Sequence, residues 1–556
     1  MRRSLQSIVF LALISSFITS ARPLAAQVTA DTVISVSRLP NVGLRWRDLP
    51  GIHAQAVERK RLDQLRGVGD EHSLLLRAPS TLFETLPPPP GWLRVTLLLP
   101  EIRSVWNSGI PVPSQEYPGW EGRASNLLLT TGVELRYGPV RLILAPELTY
   151  QDNTDFQTIV YPLSKIPHRS TFASPFHAPP HSLDTPLRFG PTARTRIGLG
   201  QSSLTVGAGP IEVGVATENF WWGPGIRNAL VMSDNAAGFP HAFLRTGDPL
   251  DTGLGELEAR WIVGELAESD YFDADRSNDD RVLSAAALVL RPAFQPNLSL
   301  GITRAVYSLE SGQGVEITSP FDVFRDIGRP NAANGDTDAE GRAYDQIFSL
   351  FGRWLFPQSG FETYAEWARF EQPRSFGDFL ETPNHTQGYT LGLQWAKPID
   401  ELSTLRIQGE LTNLELSSTY RTRRVISSYA STVIPQGYTN RGQVIGASIG
   451  PGASSQWLAA DFFHDRWNLG AFGGRIRWDN AAYYDVIPNA TYLGHDVSIF
   501  AGVRGALQVR GFEISTRLQM GNRYNYLFQN YARAIDDVSA VDIRNFTAQF
   551  TLRALH

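Results

Sequence analysis

The sequence predicts an all-β protein: a large antiparallel β-barrel that spans a membrane, with a small N-terminal helical unit on its periplasmic side. Three observations carry this. From Trp92 onward, apolar and polar residues alternate with a period of two in one segment after another. Beyond the first residues, no stretch approaches 18 consecutive apolar residues, so there is no membrane-spanning helix. The chain opens with an export signal but contains no cysteine, so its stability must come from a large core or a closed sheet rather than from disulfides.

The elements follow in order. Arg2 and Arg3 precede a short apolar run, Ile8 to Ile14, and small residues lead to Ala25-Ala26-Gln27. This reads as a cleaved signal peptide over residues 1–26. The absence of cysteine near the cut excludes a lipoprotein anchor. Residues 27–90 form a second unit. Ile52, Ala56, Leu62 and Leu65 lie at helical spacing, and Gly67 and Gly69 end that helix. Thr81 and Glu84 make a capping box for a short helix over 82–86. Pro87-Pro88-Pro89-Pro90-Gly91 then blocks helix and sheet ladder alike and favours a stiff link.

Residues 91–556 are the barrel. Leu257, Ala259, Trp261 and Val263 alternate with Glu256, Glu258 and Arg260; Phe512, Ile514, Leu518 and Met520 alternate with Glu513, Ser515, Arg517 and Gln519. Segments 140–150 and 404–411 do the same. A soluble sandwich would also alternate, but here the polar face is charged and no second set of core helices exists to cover it. Tyr364, Trp367, Trp478, Tyr483 and Tyr484 near strand ends fit aromatic girdles. The segment from Phe546 to Arg553 closes the chain as a last strand, although His556 stands where such barrels often end on an aromatic residue. These 466 residues, at about 24–28 per strand with its loop, allow about 17–19 strands. Long loops are expected at 151–191, 269–280, 310–342 and 372–388.

Net charge is -5, which excludes a basic footprint for nucleic acid. Lysine occurs only at 60, 165 and 397, so arginine carries nearly all positive charge and suits bidentate recognition of carboxylates.

Two polar, aromatic stretches stand out. In 215–250, Trp221 and Trp222 run into Gly223-Pro224-Gly225, followed by Arg227 and Asn228. Indole faces can stack on sugar rings, and fork-shaped donors can hold hydroxyls or carboxylates. A barrel turn with interfacial tryptophans is the structural alternative. In 436–443, Gln436, Tyr438 and Arg441 offer amide, phenol and guanidinium groups, where a self-satisfied hairpin loop is the alternative.

Two other clusters are weaker. Asp270, Asp273, Asp275, Asp279 and Asp280 crowd one loop, but their spacing is not that of an EF-hand, and a solvated acidic loop is the simpler account. Asp378, Glu381 and His385 could support acid–base chemistry, yet no HExxH or GxSxG motif accompanies them.

These stretches also carry a resemblance. The run from Glu218 through Trp221-Trp222-Gly223-Pro224-Gly225 to Asn235, the 436–456 block, the 107–147 segments around Asn107-Ser108-Gly109, Trp120-Glu121-Gly122-Arg123 and Ala145-Pro146-Glu147, and the block from Asp378 to Leu393 appear in one order. Together they resemble the Wzi-type capsule-assembly outer-membrane proteins. The resemblance implies an 18-stranded barrel with a periplasmic helical bundle. It also implies a monomeric surface lectin in contact with outer-membrane lipids, which binds capsular or other exopolysaccharide without bond cleavage. Trp221, Trp222, Arg227, Asn228, Gln436, Tyr438 and Arg441 are the candidate contacts, and neither cofactor nor metal is expected. A porin-like channel, and a glycan or lipid hydrolase using Asp378, Glu381 or His385, stay open.

Overall fold

The computed structural model describes residues 42–47, 54–68, 73–81, 90–113, 119–158, 172–177, 182–273, 275–309, 319–325, 344–371, 373, 375–423, 425–485, 494–529 and 541–555. The signal peptide, the 82–86 helix and most of the proline link lie outside them.

Eighteen strands close into an antiparallel ring. They are β1 (Leu93–Asn107), β2 (Ala124–Tyr137), β3 (Val140–Leu144 and Glu147–Gln151), β4 (Arg194–Gly198 and Ser203–Ala208), β5 (Ile211–Ala216) and β6 (His241–Thr246 and Leu250–Asp251). β7 (Gly255–Ala267), β8 (Asp280–Pro292), β9 (Leu298–Leu309), β10 (Tyr344–Phe356), β11 (Phe361–Arg369) and β12 (Gln387–Pro398) follow. β13 (Ser403–Asn413), β14 (Ser454–His464), β15 (Trp467–Arg477), β16 (Val497–Val509), β17 (Phe512–Tyr524) and β18 (Ile543–Ala554) complete the ring. β18 pairs back onto β1 from Thr547↔Asn107 to Arg553↔Glu101. Strand Val42–Arg47 runs parallel to Leu93–Leu98 and covers the part of β1 that β18 leaves unpaired. Closure removes the sheet edges that a membrane would not tolerate.

The alternation read from the sequence sets the two faces. On β17, Phe512 and Met520 are exposed outward while Glu513 and Ser515 are buried in the lumen. On β7, Arg260 and Ile262 point inward and Trp261 outward. One end of the ring carries short turns, such as Gly138-Pro139 and Gly209-Pro210; the other carries the long loops.

The aromatic girdle matches the expected set only in part: Trp367 faces outward and Tyr484 is exposed, but the other three are not girdle residues. Tyr364 points into the lumen, where its hydroxyl donates to Glu410 at 2.8 Å. Tyr483 is buried against His495 and Phe528, and Trp478 lines a lumen pocket. Exposed Trp92, Tyr137, Trp354 and Trp467 mark the short-turn rim instead, and Trp106 and Tyr524 lie at the loop rim. Inward and outward aromatic residues share the same period of two, so spacing near strand ends does not tell them apart.

The bore is filled from both ends. Helix α1 (Ala54–Leu65), stopped at Gly67 with φ 72°, sits within the short-turn mouth. Its Glu58 pairs with Arg406 (2.6 Å) and Arg504 (3.5 Å), and Arg406 and Arg504 also grip Asp461 at 2.9 and 2.8 Å. Arg61 pairs with Glu362, stacks over the Tyr364 ring and donates to the Pro224 carbonyl at 2.7 Å. From the other end, segment 217–240 between β5 and β6 and segment 414–453 between β13 and β14 fold inward. Trp221–Trp222 forms a ribbon with Leu76–Arg77, and Thr439–Asn440 one with Gln443–Val444. Trp222, Leu230, Tyr429, Tyr438 and Ile445 form the centre of the main hydrophobic core, which therefore lies inside the barrel.

Candidate functional site

The turn after the tryptophan pair is a cradle for a carboxylate. The backbone N–H groups of Ile226, Arg227 and Asn228 donate to Glu410 on β13 at 2.7, 3.1 and 2.8 Å. The Leu230 N–H donates to Glu366 on β11 at 3.1 Å. The glycines are needed for this. Gly223 has φ 108°, and a Cβ there would meet Glu366 at 2.8 Å; a Cβ on Gly225 would meet the Asn228 carbonyl at 2.2 Å. Three consecutive donors aimed at one acceptor form an anion nest, so this stretch anchors the plug to the wall.

That anchoring sets the position of each candidate residue. Trp222 is fully buried in the core, and Trp221 is buried with its indole N–H on the Gly225 carbonyl at 3.0 Å. Tyr438 is fully buried, stacked near Tyr429 and against Tyr307. Gln436 is fully buried and donates to Glu268 and to the Asn278 carbonyl. None of these four faces open space. Arg227, Asn228 and Arg441 line two separate pockets, the first two as buried residues.

The first pocket lies on the loop side of the lumen. It brings Arg227 and Asn228 together with Trp457, Trp478, Arg517 and Gln519. The Arg227 guanidinium lies 5.3 Å from the Trp457 ring centre, and Arg523 lies 4.6 Å from that of Trp478. Asp496 holds Arg523 through two bonds of 2.7 Å. Asn228 donates to the Ser455 hydroxyl at 3.3 Å. Aromatic faces beside oriented guanidinium and amide groups suit hydroxyl-rich or carboxylate-bearing ligands.

The second is a cleft of about 640 Å³ lined by Trp120, Arg194, Arg196, Tyr271, Arg441 and Gln443, among others. Arg441 is placed there by its N–H bond to the Ala267 carbonyl (2.8 Å) and a left-handed φ of 52°. Two loop carboxyls sit beside it. Burial raises Glu268 to about 7, against the Gln436 amide. Burial raises Asp184 to about 6, against hydrogen bonds from the Ser269 hydroxyl and N–H.

Sequence reasoning missed Trp457, Trp478, Arg517 and Arg523 as one group, because they come from strands β14 and β17 and the loop between β15 and β16. Arg517 carried a signal as a polar residue on the inward face.

Two of the acid–base candidates are joined only through other side chains: Arg423 pairs with Asp378 and reaches Glu371 at 4.0 Å, and Glu371 meets His385. His385 is fully buried between Glu371 (3.1 Å) and the Thr419 hydroxyl (3.0 Å). Asp378 lies in helix α2 (Phe376–Glu381) and pairs with Arg423 at 2.6 Å, while Glu381 is exposed. In the acidic loop, Asp273 and Asp275 accept from the N–H groups two residues on, forming local turns.

Residues 114–471 match the family model of the capsule assembly protein Wzi, which is more than half of the chain. The chain belongs to the Wzi family. Among solved structures it is similar to Wzi of Escherichia coli, described as an outer membrane protein involved in group 1 capsule assembly and a carbohydrate-binding β-barrel. That likeness has 10% identity and a TM-score of 0.52, over 82% of this chain and 85% of that one. It is also similar to a BenF-like porin from Pseudomonas fluorescens Pf-5 (8% identity, TM-score 0.37, 83% and 98% covered) and to OccAB2 of Acinetobacter baumannii (9%, 0.38, 82% and 98%), both too distant to bear on function. No curated protein matches. As a Wzi-family outer-membrane barrel, the chain faces the periplasm with its short turns and α1, and the exterior with its long loops.

Proposed function

We propose that this Wzi-family barrel binds capsular or other surface polysaccharide, and helps to attach or organise it at the cell surface, by binding without bond cleavage. The observation that carries the reading is the loop-side pocket. There the plug presents Arg227 and Asn228 against Trp457, Trp478 and Arg517 of the wall. A chain of sugars held by many such contacts needs no reactive group. The buried motif residues Trp221, Trp222, Gln436 and Tyr438 support the site by fixing the plug, while Arg227, Asn228 and Arg441 are offered as contacts. The packed bore, closed at Trp222 and Tyr438, disfavours a conducting channel. We also propose that the barrel works as a monomer.

The test is binding of detergent-purified protein to the surface polysaccharide of its own bacterium, measured by isothermal calorimetry. Arg227→Ala and Arg517→Ala should each weaken binding about tenfold, a loss of roughly 1.4 kcal/mol. Unchanged binding in both would move the site away from this pocket. Absence of binding to any host glycan would overturn the reading.

A further inference from the structure

Among the described residues, the ring that closes at its lower half leaves a gap in the wall on one side above mid-height. β5 ends at Ala216 and β6 begins at His241, because the segment between them turns into the lumen. The upper piece of β4, Arg194–Gly198, pairs among the described residues with β3 alone. The top of β7 pairs with β8, and its other edge is capped by Pro240, Asn440 and Arg441: Glu265 N–H to the Pro240 carbonyl (3.0 Å), Ala267 N–H to the Asn440 side chain (3.2 Å), and Arg441 N–H to the Ala267 carbonyl. Between β4 and β7 lies the 640 Å³ cleft, within the ~300–1,000 Å³ range of ligand sites.

Hydrocarbon is excluded as its filling. Unpaired strand edges do not occur within the lipid core, and the lining mixes guanidinium and amide groups with aromatic rings. Arg194 and Arg196 lie opposite Gln151 and Thr149 of β3 on one face, with Arg441 and Gln443 across the gap. Trp120, Phe189 and Tyr271 form a row of rings with centres 5.2 and 6.0 Å apart. On the outer face of the same strand Ile197 is 77% exposed. The cleft therefore opens sideways where the membrane gives way to water, and it carries guanidinium, amide and aromatic groups together.

We propose that this cleft is a lateral docking site for a sugar chain, gripping it where it runs along the membrane surface. The inference rests on the polysaccharide reading above and adds a place and a direction of approach. The ring of Trp120 or Tyr271 would stack on a sugar face, and Arg194, Arg196 and Arg441 would hold hydroxyls or carboxylates.

The chain has no cysteine, so Thr195→Cys at the cleft rim and Ser277→Cys on an exposed loop each introduce a sole thiol. The full chain in lipid nanodiscs is treated with a maleimide, with and without surface polysaccharide purified from the same bacterium. Polysaccharide should slow labelling at position 195 about tenfold and leave position 277 unchanged. Gly198→Trp offers a second measurement. A Cβ at this position has the Gly200 N, at 3.9 Å, as its nearest neighbour, so the backbone admits a side chain here, and an indole added beyond it would occupy the cleft. Binding should fall about tenfold in that variant and stay normal in Gly198→Ala. Normal polysaccharide binding, with position 195 unprotected and Gly198→Trp unaffected, overturns the cleft and leaves the polysaccharide reading intact. No binding in any variant removes both. Protection by free polysaccharide alone names a free chain as occupant; protection that needs the host's lipopolysaccharide in the nanodisc names an anchored one.

Discussion

The two halves of the plug fill the same bore by different means. The periplasmic half is held by charge: Glu58, Arg406, Arg504 and Asp461 form one buried cluster, and Arg61, Arg353 and Glu362 another. The outer half is held by packing, with Trp222 and Tyr438 at its centre, while Glu410 and Glu366 accept backbone N–H groups and Glu410 also the Tyr364 hydroxyl. Buried ion pairs add little net stability over apolar packing but penalise any pose that splits them. Packed rings stabilise directly. The periplasmic half therefore fixes one docking position for α1, while the outer half supplies cohesion.

The largest effects should come from the packed half. Trp222→Ala should destabilise by about 3–5 kcal/mol, as truncation of a buried tryptophan does. Glu410→Ala should cost at least as much, because three buried N–H groups lose their acceptor at about 1–3 kcal/mol each. Urea titration of the reconstituted protein, with trypsin sensitivity of segment 217–240 alongside, measures both. A loss under 1 kcal/mol in each would show that packing does not hold this half.

The charged half should respond less in stability and more in permeability. Glu58→Gln removes one of the two carboxylates that pair with both Arg406 and Arg504, at a cost of about 3 kcal/mol. Conductance in planar bilayers should rise only in double variants that loosen both halves, such as Glu58→Gln with Trp222→Ala. An open pore in the Glu58→Gln single variant would mean that the outer half does not seal the bore.

A smaller effect is expected from pH at the cleft. Glu268 and Asp184 keep their protons to higher pH in the folded loop than in an unfolded chain, with values of about 7 and about 6 against 4.5 and 3.8. Their contribution is full below the unfolded values and is lost as pH rises through about 6 and about 7. Hydrogen-exchange protection of residues 268–273, corrected for intrinsic rate, should therefore fall between pH 5 and 8. Glu268→Gln should flatten that slope, and a flat wild-type profile would contradict the assignment. Smallest of all, Arg441→Ala should change stability by less than about 0.5 kcal/mol, so any loss of polysaccharide binding in it reports contact rather than folding.

The same contrast explains what could be read from the sequence. The wall was legible because a membrane barrel needs strict alternation, as in Phe512 to Met520. The end of α1 was legible at Gly67. The direction of the tryptophan stretch was not: a segment both polar and aromatic fits a sugar site and an inward plug equally well, and only Glu366 and Glu410 on distant strands decide between them. Tyr364 looked like a girdle residue because lumen and lipid faces share one period. Arg61 carried no signal in the sequence, because its partner, Glu362, lies 301 residues further along.

The cradle at Ile226 to Asn228 has a bearing on how the molecule is made. Its acceptor Glu410 follows Ile226 by 184 residues, and Glu366 follows Leu230 by 136. During synthesis and export the tryptophan pair and its turn therefore emerge long before the side chains that secure them. Chaperones that escort unfolded chains across the periplasm would meet this sticky segment early and for a long time. Filling of the bore has to wait until β11 and β13 are in place, so barrel assembly and plug docking must be late and concerted steps of biogenesis.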